Sequence, residues 1–307
     1  MARFQEELRP IGKKTMKQFE ILQELSPGCQ VLRHWSLVGG ISAQMTAVEV
    51  QTAEKNIETF VLRQLDERVL SLESTLLKFL ATTKVPVPKV HLHKYDLLVM
   101  EFVAGKALYR AQNVHAVCVE MANELSKIHQ LKLPKELKKS IPNLYERMDK
   151  MMKARPQVLD ETFDEEKVRQ VLEGAWPFMD EENHSLLHGD FWPGNLLWLE
   201  ESLVAVTDWE DVELGTPLMD LAISQLDIFW VYGKEAMDTF TQEYKTHNEL
   251  DYSPLPYWQL YAALRPRLRF ALWSSAYPAL GRSDITEATM RHKHGLFVES
   301  ALARVAS

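Results

Sequence analysis

Cysteine is nearly absent from this chain: Cys29 and Cys118 are the only two in 307 residues, and no metal-ligand spacing joins them. They support neither a disulfide framework nor a cysteine-based zinc site, and a reducing cytoplasm suits such a chain. Long apolar runs are missing too. No uninterrupted stretch approaches the roughly 20 residues needed to cross a bilayer. The first residues, Met1-Ala2-Arg3-Phe4-Gln5-Glu6-Glu7, are charged rather than apolar, so no export or anchoring signal is visible. Positive charge is in deficit, with 35 Lys and Arg against 43 Asp and Glu and a net charge of -8. That balance argues against nucleic acid or an anionic membrane surface as the main partner. Internal repeats and low-complexity tracts are also lacking.

What remains is the composition of an ordinary globular protein, long enough for one domain with two lobes or for two small domains. Its texture changes near residue 103. Upstream, the patterning predicts a helix over 13–25, strands over 31–38, 45–51 and 58–65, a helix over 71–82, and strands over 89–93 and 97–102. Downstream of Ala104-Gly105 it predicts helices over 115–131, 144–154 and 165–180, and later over 217–232, 234–246, 255–276 and 285–303. The charged segment from Lys132 to Lys139 reads as a solvated connection.

Between the helical groups lies Leu187-His188-Gly189-Asp190-Phe191-Trp192-Pro193-Gly194-Asn195, and then Val206-Thr207-Asp208-Trp209. The apolar runs 196–199 and 203–206 flank Glu200-Glu201-Ser202 as a hairpin, with Asn195 before its first strand and Asp208 after its second. Transferring a phosphoryl group from a nucleotide to an alcohol needs a carboxylate at the attacking hydroxyl and oxygen ligands for magnesium on the polyphosphate. Asp190, Asn195 and Asp208 supply that set. Each residue alone is ordinary turn chemistry. The spacing H-x-D-x-x-x-x-N, with an Asp following a predicted hairpin, carries the weight. In its wording, HGDFWPGNLL with TDWE, the chain resembles the aminoglycoside phosphotransferase and choline kinase family.

The resemblance implies an α+β, two-lobed protein-kinase-like fold. Residues 1–102 would form a small β-rich nucleotide-binding lobe, and 103–307 a larger, mostly helical lobe for catalysis and acceptor binding. It further implies transfer of the γ-phosphoryl group of ATP, with Mg2+, to a hydroxyl of a small-molecule acceptor. Asp190 would orient or accept the hydroxyl proton, and Asn195 and Asp208 would bind magnesium. Gly39, Gly40 and Ser42, between two predicted strands, would cover the phosphates with backbone amides, although a plain hairpin turn uses the same glycines. Glu101 and Val103 fall in the segment resembling the hinge that pairs with the nucleotide base. On the third strand the family's usual lysine is replaced by Arg63, a planar and permanently charged fork, with Glu73 on the next helix as its expected partner. His188 is expected to be structural. Asp220 matches a position that braces the catalytic loop, with simple helix capping as the competing explanation.

The acceptor is less legible. Trp192, Trp230 and Trp258 are the first aromatic candidates for its pocket, against the general preference of buried aromatics for the core. Acids dominate from Glu200 to Glu249, which suits a cationic or polyhydroxy acceptor such as an aminoglycoside or a choline-like alcohol. Arg265, Arg267, Arg269, Arg282 and Arg291 make the final helices basic, which suits a carboxylated or phosphorylated one. A rival of another class is a degenerate kinase-like fold that binds nucleotide or a partner without turnover; Arg63 favours it, whereas Asp190, Asn195 and Asp208 weigh against it.

Overall fold

A computed structural model describes residues 19–37, 44–176 and 184–306. It contains two compact units. The first comprises Met1–Gly105 together with Val204–Glu210, and the second Lys106–Leu203 with Asp211–Ser307. The division therefore falls after Gly105 rather than after residue 102, and a short segment from the middle of the chain belongs with the first unit.

The first unit is built on β1 (Gln30–Ser36), β2 (Gln44–Gln51), β3 (Ile57–Gln64), β4 (Val90–Lys94) and β5 (Leu97–Glu101), preceded by the single helical turn α1 (Leu22–Leu25). The sheet order is β1-β2-β3-β5-β4, with every pair antiparallel. Helix α2 (Glu67–Leu80) starts where the Asp66 carboxylate accepts the Arg68 N–H, and it buries Leu70, Glu73, Leu76, Leu77 and Leu80 along one face. In β3 side chains alternate between faces. Phe60 and Leu62 join Leu22, Val48, Val50 and Val99 in one apolar cluster. Arg63 points the other way, yet it is as buried as its neighbours.

The second unit is mainly helical, with α3 (Val114–His129), α4 (Lys135–Ser140), α5 (Leu144–Lys153) and α6 (Glu165–Ala175) before the strands β6 (Ser185–Leu187) and β7 (Leu196–Leu199). Strand β8 (Ser202–Val206) pairs with β7, and the division between units falls inside it. Then come β9 (Glu213–Gly215), antiparallel to β6, and α7 (Pro217–Tyr232), α8 (Lys234–His247), α9 (Leu255–Ala262), α10 (Phe270–Ser274) and α11 (Glu287–Val305). Helix α7 is the axis of this unit: every residue from Pro217 to Val231 is buried, and α8, α9 and α11 pack on it. A helix apolar on all sides belongs in a core, so its few polar residues must find partners there.

Several sequence expectations change on folding. The helix expected over 255–276 breaks into α9 and α10. Pro266 has no N–H to donate and disfavours helix at Arg265, and Leu268 adopts a left-handed φ of 56°. The charged segment 132–139 has its Lys and Glu side chains exposed as expected, but its second half forms α4, which buries Leu137. Strands β6 and β9 were not expected, being only three residues each. Trp230 and Trp258 are each 1% exposed, so they belong to the core and line no acceptor pocket. The expected helix over 13–25 lies partly outside the described residues.

His294 of α11 is packed among Phe163, Trp230 and Phe270. Burial, only partly offset by the charge of Asp160, pushes its imidazole down to about 3 from an ordinary 6.5. The unfolded chain takes up a proton there near pH 6.5 while the folded chain resists, so stability present above that pH is lost as pH falls. The loss approaches about 1.4 kcal/mol per pH unit. His294→Phe should therefore flatten the decline of chemical-denaturation stability between pH 6.5 and 5, with little change at pH 8.

Candidate functional site

The first group of site residues assembles within the first unit around Arg63, whose side chain is 2% exposed. Its Nη2 meets Asp208 Oδ1 at 2.8 Å and Glu210 Oε2 at 2.6 Å, while Nε lies 3.3 Å from Glu73 Oε2. The expected Arg63–Glu73 pair is thus present, but Glu73 shares the arginine with two further acids. Burial pushes Glu73 up to about 7, countered by Arg63 and reinforced by the charges of Asp208 and Glu210. Asp208 itself sits just past β8 with φ 65°, a left-handed conformation that Asp tolerates better than most residues. Around it, Val206 N–H donates to the Pro86 carbonyl at 2.8 Å and the buried Trp209 Nε1 donates to the Val206 carbonyl at 3.1 Å.

The remaining nucleotide candidates divide. Glu101 ends β5 on the exposed side, with its carboxylate accepting the Lys89 N–H at 3.2 Å. Val103 follows it in irregular backbone, and its carbonyl accepts the Gly105 N–H. Gly39, Gly40 and Ser42 lie outside the described residues.

The second group forms within the second unit on the loop after β6. Asp220, fully buried on α7, accepts the N–H of His188 at 2.6 Å through Oδ2 and that of Gly189 at 2.9 Å through Oδ1. Asp220 is thus the brace of the loop, while the α7 cap is Thr216, which accepts the Leu218 N–H. Burial acts to raise the Asp220 carboxyl, yet the His129 hydrogen bond and the charges and N–H of its histidine neighbours hold it below the ordinary carboxylate value. One turn on, Ser224 Oγ donates to the Phe191 carbonyl at 2.7 Å. Gly189 has φ 82°, and a Cβ there would lie 2.1 Å from the Asp211 carbonyl oxygen, so only glycine fits.

This framework presents Asp190. Its N–H donates to His188 Nδ1 at 3.3 Å, which gives the buried His188 the expected structural place. Asn195 Nδ2 donates to the Asp190 carbonyl at 2.9 Å and to its Oδ2 at 3.1 Å. The carboxylate remains 26% exposed. Trp192 packs against Tyr109 with ring centroids 5.9 Å apart and planes tilted by 53°, and Gly194 leaves room for the indole, since a Cβ there would lie 2.1 Å from it.

One contact was not foreseen. Arg265, in the break between α9 and α10, donates from Nη2 to Asp190 Oδ1 and reaches Asp227 Oδ2 with Nη1 at 3.3 Å. Burial pushes Asp227 up to about 7, tempered by Arg265 and reinforced by Asp190. A signal for this face existed: Asp220, Ser224 and Asp227 recur at helical spacing in a segment that is apolar but for these and Gln225.

Taken singly, Asp208 of the first unit and Asn195 of the second carry side-chain oxygens of the kind a hard divalent cation prefers. In the first unit one guanidinium faces three carboxylates, so that cluster is short of positive charge. Arg63 contacts Oδ1 of Asp208 at 2.8 Å. No cluster of three or more acidic, His or Cys side chains forms a metal cage among the described residues, and none of their helices is long and apolar enough to cross a membrane.

A model of the phosphotransferase enzyme family matches residues 37–266, more than half of the chain. Among solved structures, a Ralstonia eutropha protein assigned as an aminoglycoside phosphotransferase is similar with a TM-score of 0.63 at 18% identity, over 95% of this chain and 98% of that one. The macrolide 2'-phosphotransferase MphH of Brachybacterium faecium gives 0.60 at 16%, over 92% and 98%. A spectinomycin phosphotransferase solved with ADP and spectinomycin gives 0.62 at 14%, over 96% and 99%. At these identities the likeness establishes the kinase-like α+β fold. No curated protein matches the chain.

Removing Arg63 leaves the buried Glu73 and the partly exposed Asp208 and Glu210 without their cation, and breaking a buried pair typically costs about 3–5 kcal/mol. Arg63→Ala should lower stability by about that much in urea unfolding. Arg63→Lys, which keeps a charge but not the fork, should lose clearly less.

Proposed function

The chain belongs to the phosphotransferase enzyme family and is a phosphotransferase acting on small molecules; from that premise we propose that it moves the γ-phosphoryl group of ATP, with Mg2+, to a hydroxyl of a small-molecule acceptor. The observation that carries the reading is the presentation of Asp190: a partly exposed carboxylate on a loop pinned to a buried helix by Asp220 and steadied by Asn195. Preset geometry of this kind is most of what phosphoryl transfer asks of a protein.

In this mechanism the acceptor hydroxyl lies against Asp190. Its oxygen forms a bond to the γ-phosphorus as the bond from that phosphorus to the β–γ bridging oxygen breaks, and ADP leaves. Asp190 takes the hydroxyl proton and passes it to solvent. Asn195 and Asp208 would hold Mg2+, which when bound would supply charge neutralisation at the donor phosphates. Arg63, steadied by Glu73, grips phosphate oxygens as the family lysine does, and Gly39, Gly40 and Ser42 cover them with backbone amides. Glu101 and Val103 belong to the backbone that pairs with the base. The first unit thus supplies most of the nucleotide-binding residues, and the second supplies Asn195 and the catalytic Asp190.

A second reading, nucleotide binding without turnover, rests on the direct Arg63–Asp208 contact, which places a guanidinium on an oxygen of a metal ligand. Turnover separates the two. Acceptor-dependent ADP release, screened over hydroxylated metabolites and antibiotics, should identify a substrate. Asp190→Asn should then cut turnover by roughly 10²- to 10⁴-fold with nucleotide binding nearly intact, whereas Asp208→Ala should lose magnesium-dependent nucleotide binding in calorimetry. Full acceptor phosphorylation by Asp190→Asn would overturn the assignment of this loop.

A further inference from the structure

The basic residues near the carboxy terminus have different occupations. Arg267 Nε donates to Glu165 at 2.9 Å, Arg282 pairs with Asp284 and donates to the carbonyls of Tyr109 and Val231, and Arg291 pairs with Glu287 and Asp160. Those arginines serve the scaffold. Arg265 is held instead against the very carboxylate that must receive the acceptor.

Its setting is asymmetric. Behind it, Asp227 is buried on α7 and takes Nη1; in front, the partly exposed Asp190 takes Nη2. The guanidinium also lies over the ring of Trp273, with its carbon 5.9 Å from the ring centroid. Two consequences follow from elementary electrostatics. A carboxylate oxygen engaged by arginine is occupied and cannot receive an acceptor hydroxyl at the same time. A cationic group on the acceptor would also meet the guanidinium beside the base and be repelled. An anionic group has the opposite effect, since it can replace Asp190 as the partner of Nη2 while Asp227 keeps the arginine in place from behind.

Resting on the phosphotransferase reading above, we infer that Arg265 is a displaceable guard on Asp190 and that the acceptor carries an anionic group, a carboxylate or a phosphate, close to its reactive hydroxyl. The anion takes Nη2 of Arg265, Asp190 is released to the hydroxyl, and the proton moves to Asp190 as the new O–P bond forms and ADP departs. Arg265 thereby selects the acceptor by charge and couples that choice to access to Asp190.

NMR of the full chain carrying 15N-arginine tests this without any known substrate. The Arg265 Nε–H signal, assigned by its loss in R265K, is followed as glycolate, inorganic phosphate and neutral glycolamide are added separately to millimolar concentration. A shift with either anion and none with the amide is expected, and the two anion arms tell carboxylate from phosphate. No shift with either anion, or an equal shift with the amide, overturns the inference. Acceptor-dependent ADP release then compares hydroxy acids and sugar phosphates with their carboxamides, parent sugars and amino alcohols. Anionic acceptors should be preferred, and R265Q should reduce the anion-over-neutral ratio of kcat/KM by about 30-fold or more, mainly through KM, with R265K keeping part of it. A wild-type preference for amino alcohols, or an unchanged ratio in R265Q, overturns it. Absence of ADP release with every acceptor would count against the phosphotransferase reading alone, with the NMR result still deciding the role of Arg265.

Discussion

One buried carboxylate organises the catalytic loop. Asp220 spends both oxygens on consecutive backbone N–H groups, those of His188 and Gly189, and accepts from His129 Nε2 at 3.2 Å as well. An ionised acid with no solvent around it survives only when such partners are complete. The dependence runs both ways: the loop has its shape because the carboxylate demands those donors, and the carboxylate stays charged because the loop supplies them. Asp190 inherits its position from this exchange.

The same helix face continues through Ser224 and Asp227, so three polar side chains at helical spacing act on three parts of the site. The first sets the loop backbone, the second ties down the Phe191 carbonyl, and the third reaches Arg265. A rigid core helix is a better base for such work than another loop, because its side chains cannot drift independently. The first unit solves a comparable problem differently. There, a single arginine on a central strand collects carboxylates from a helix and from the 204–210 segment.

Much of this was legible in the sequence, for a physical reason. His188, Asp190, Asn195 and Asp208 stand at fixed offsets around a predictable hairpin, and local spacing is what a sequence displays most directly. The amino-terminal strands and the long helices were readable from apolar periodicity for the same reason. Trp230 and Trp258 were misplaced because an aromatic residue advertises size but not which way it faces. The break at 263–269 was hidden because the apolar pattern runs on across Pro266. Arg265 was visible only as one charge among five; that it faces Asp190 depends on the break and on Asp227 of α7, residues far apart in sequence that only the fold brings together.

The segment 204–210 gives the chain an unusual connectivity, since it belongs with the first unit while the residues on both sides belong with the second. The two units are therefore not separable pieces of polypeptide. A fragment ending at Gly105 keeps the whole five-stranded sheet and helix α2 but loses Val206, Asp208 and Glu210. The Pro86 carbonyl is then deprived of its N–H donor, and the buried guanidinium of Arg63 is left with Glu73 as its one remaining acid of the three. The first unit is complete only after two thirds of the polypeptide has been made.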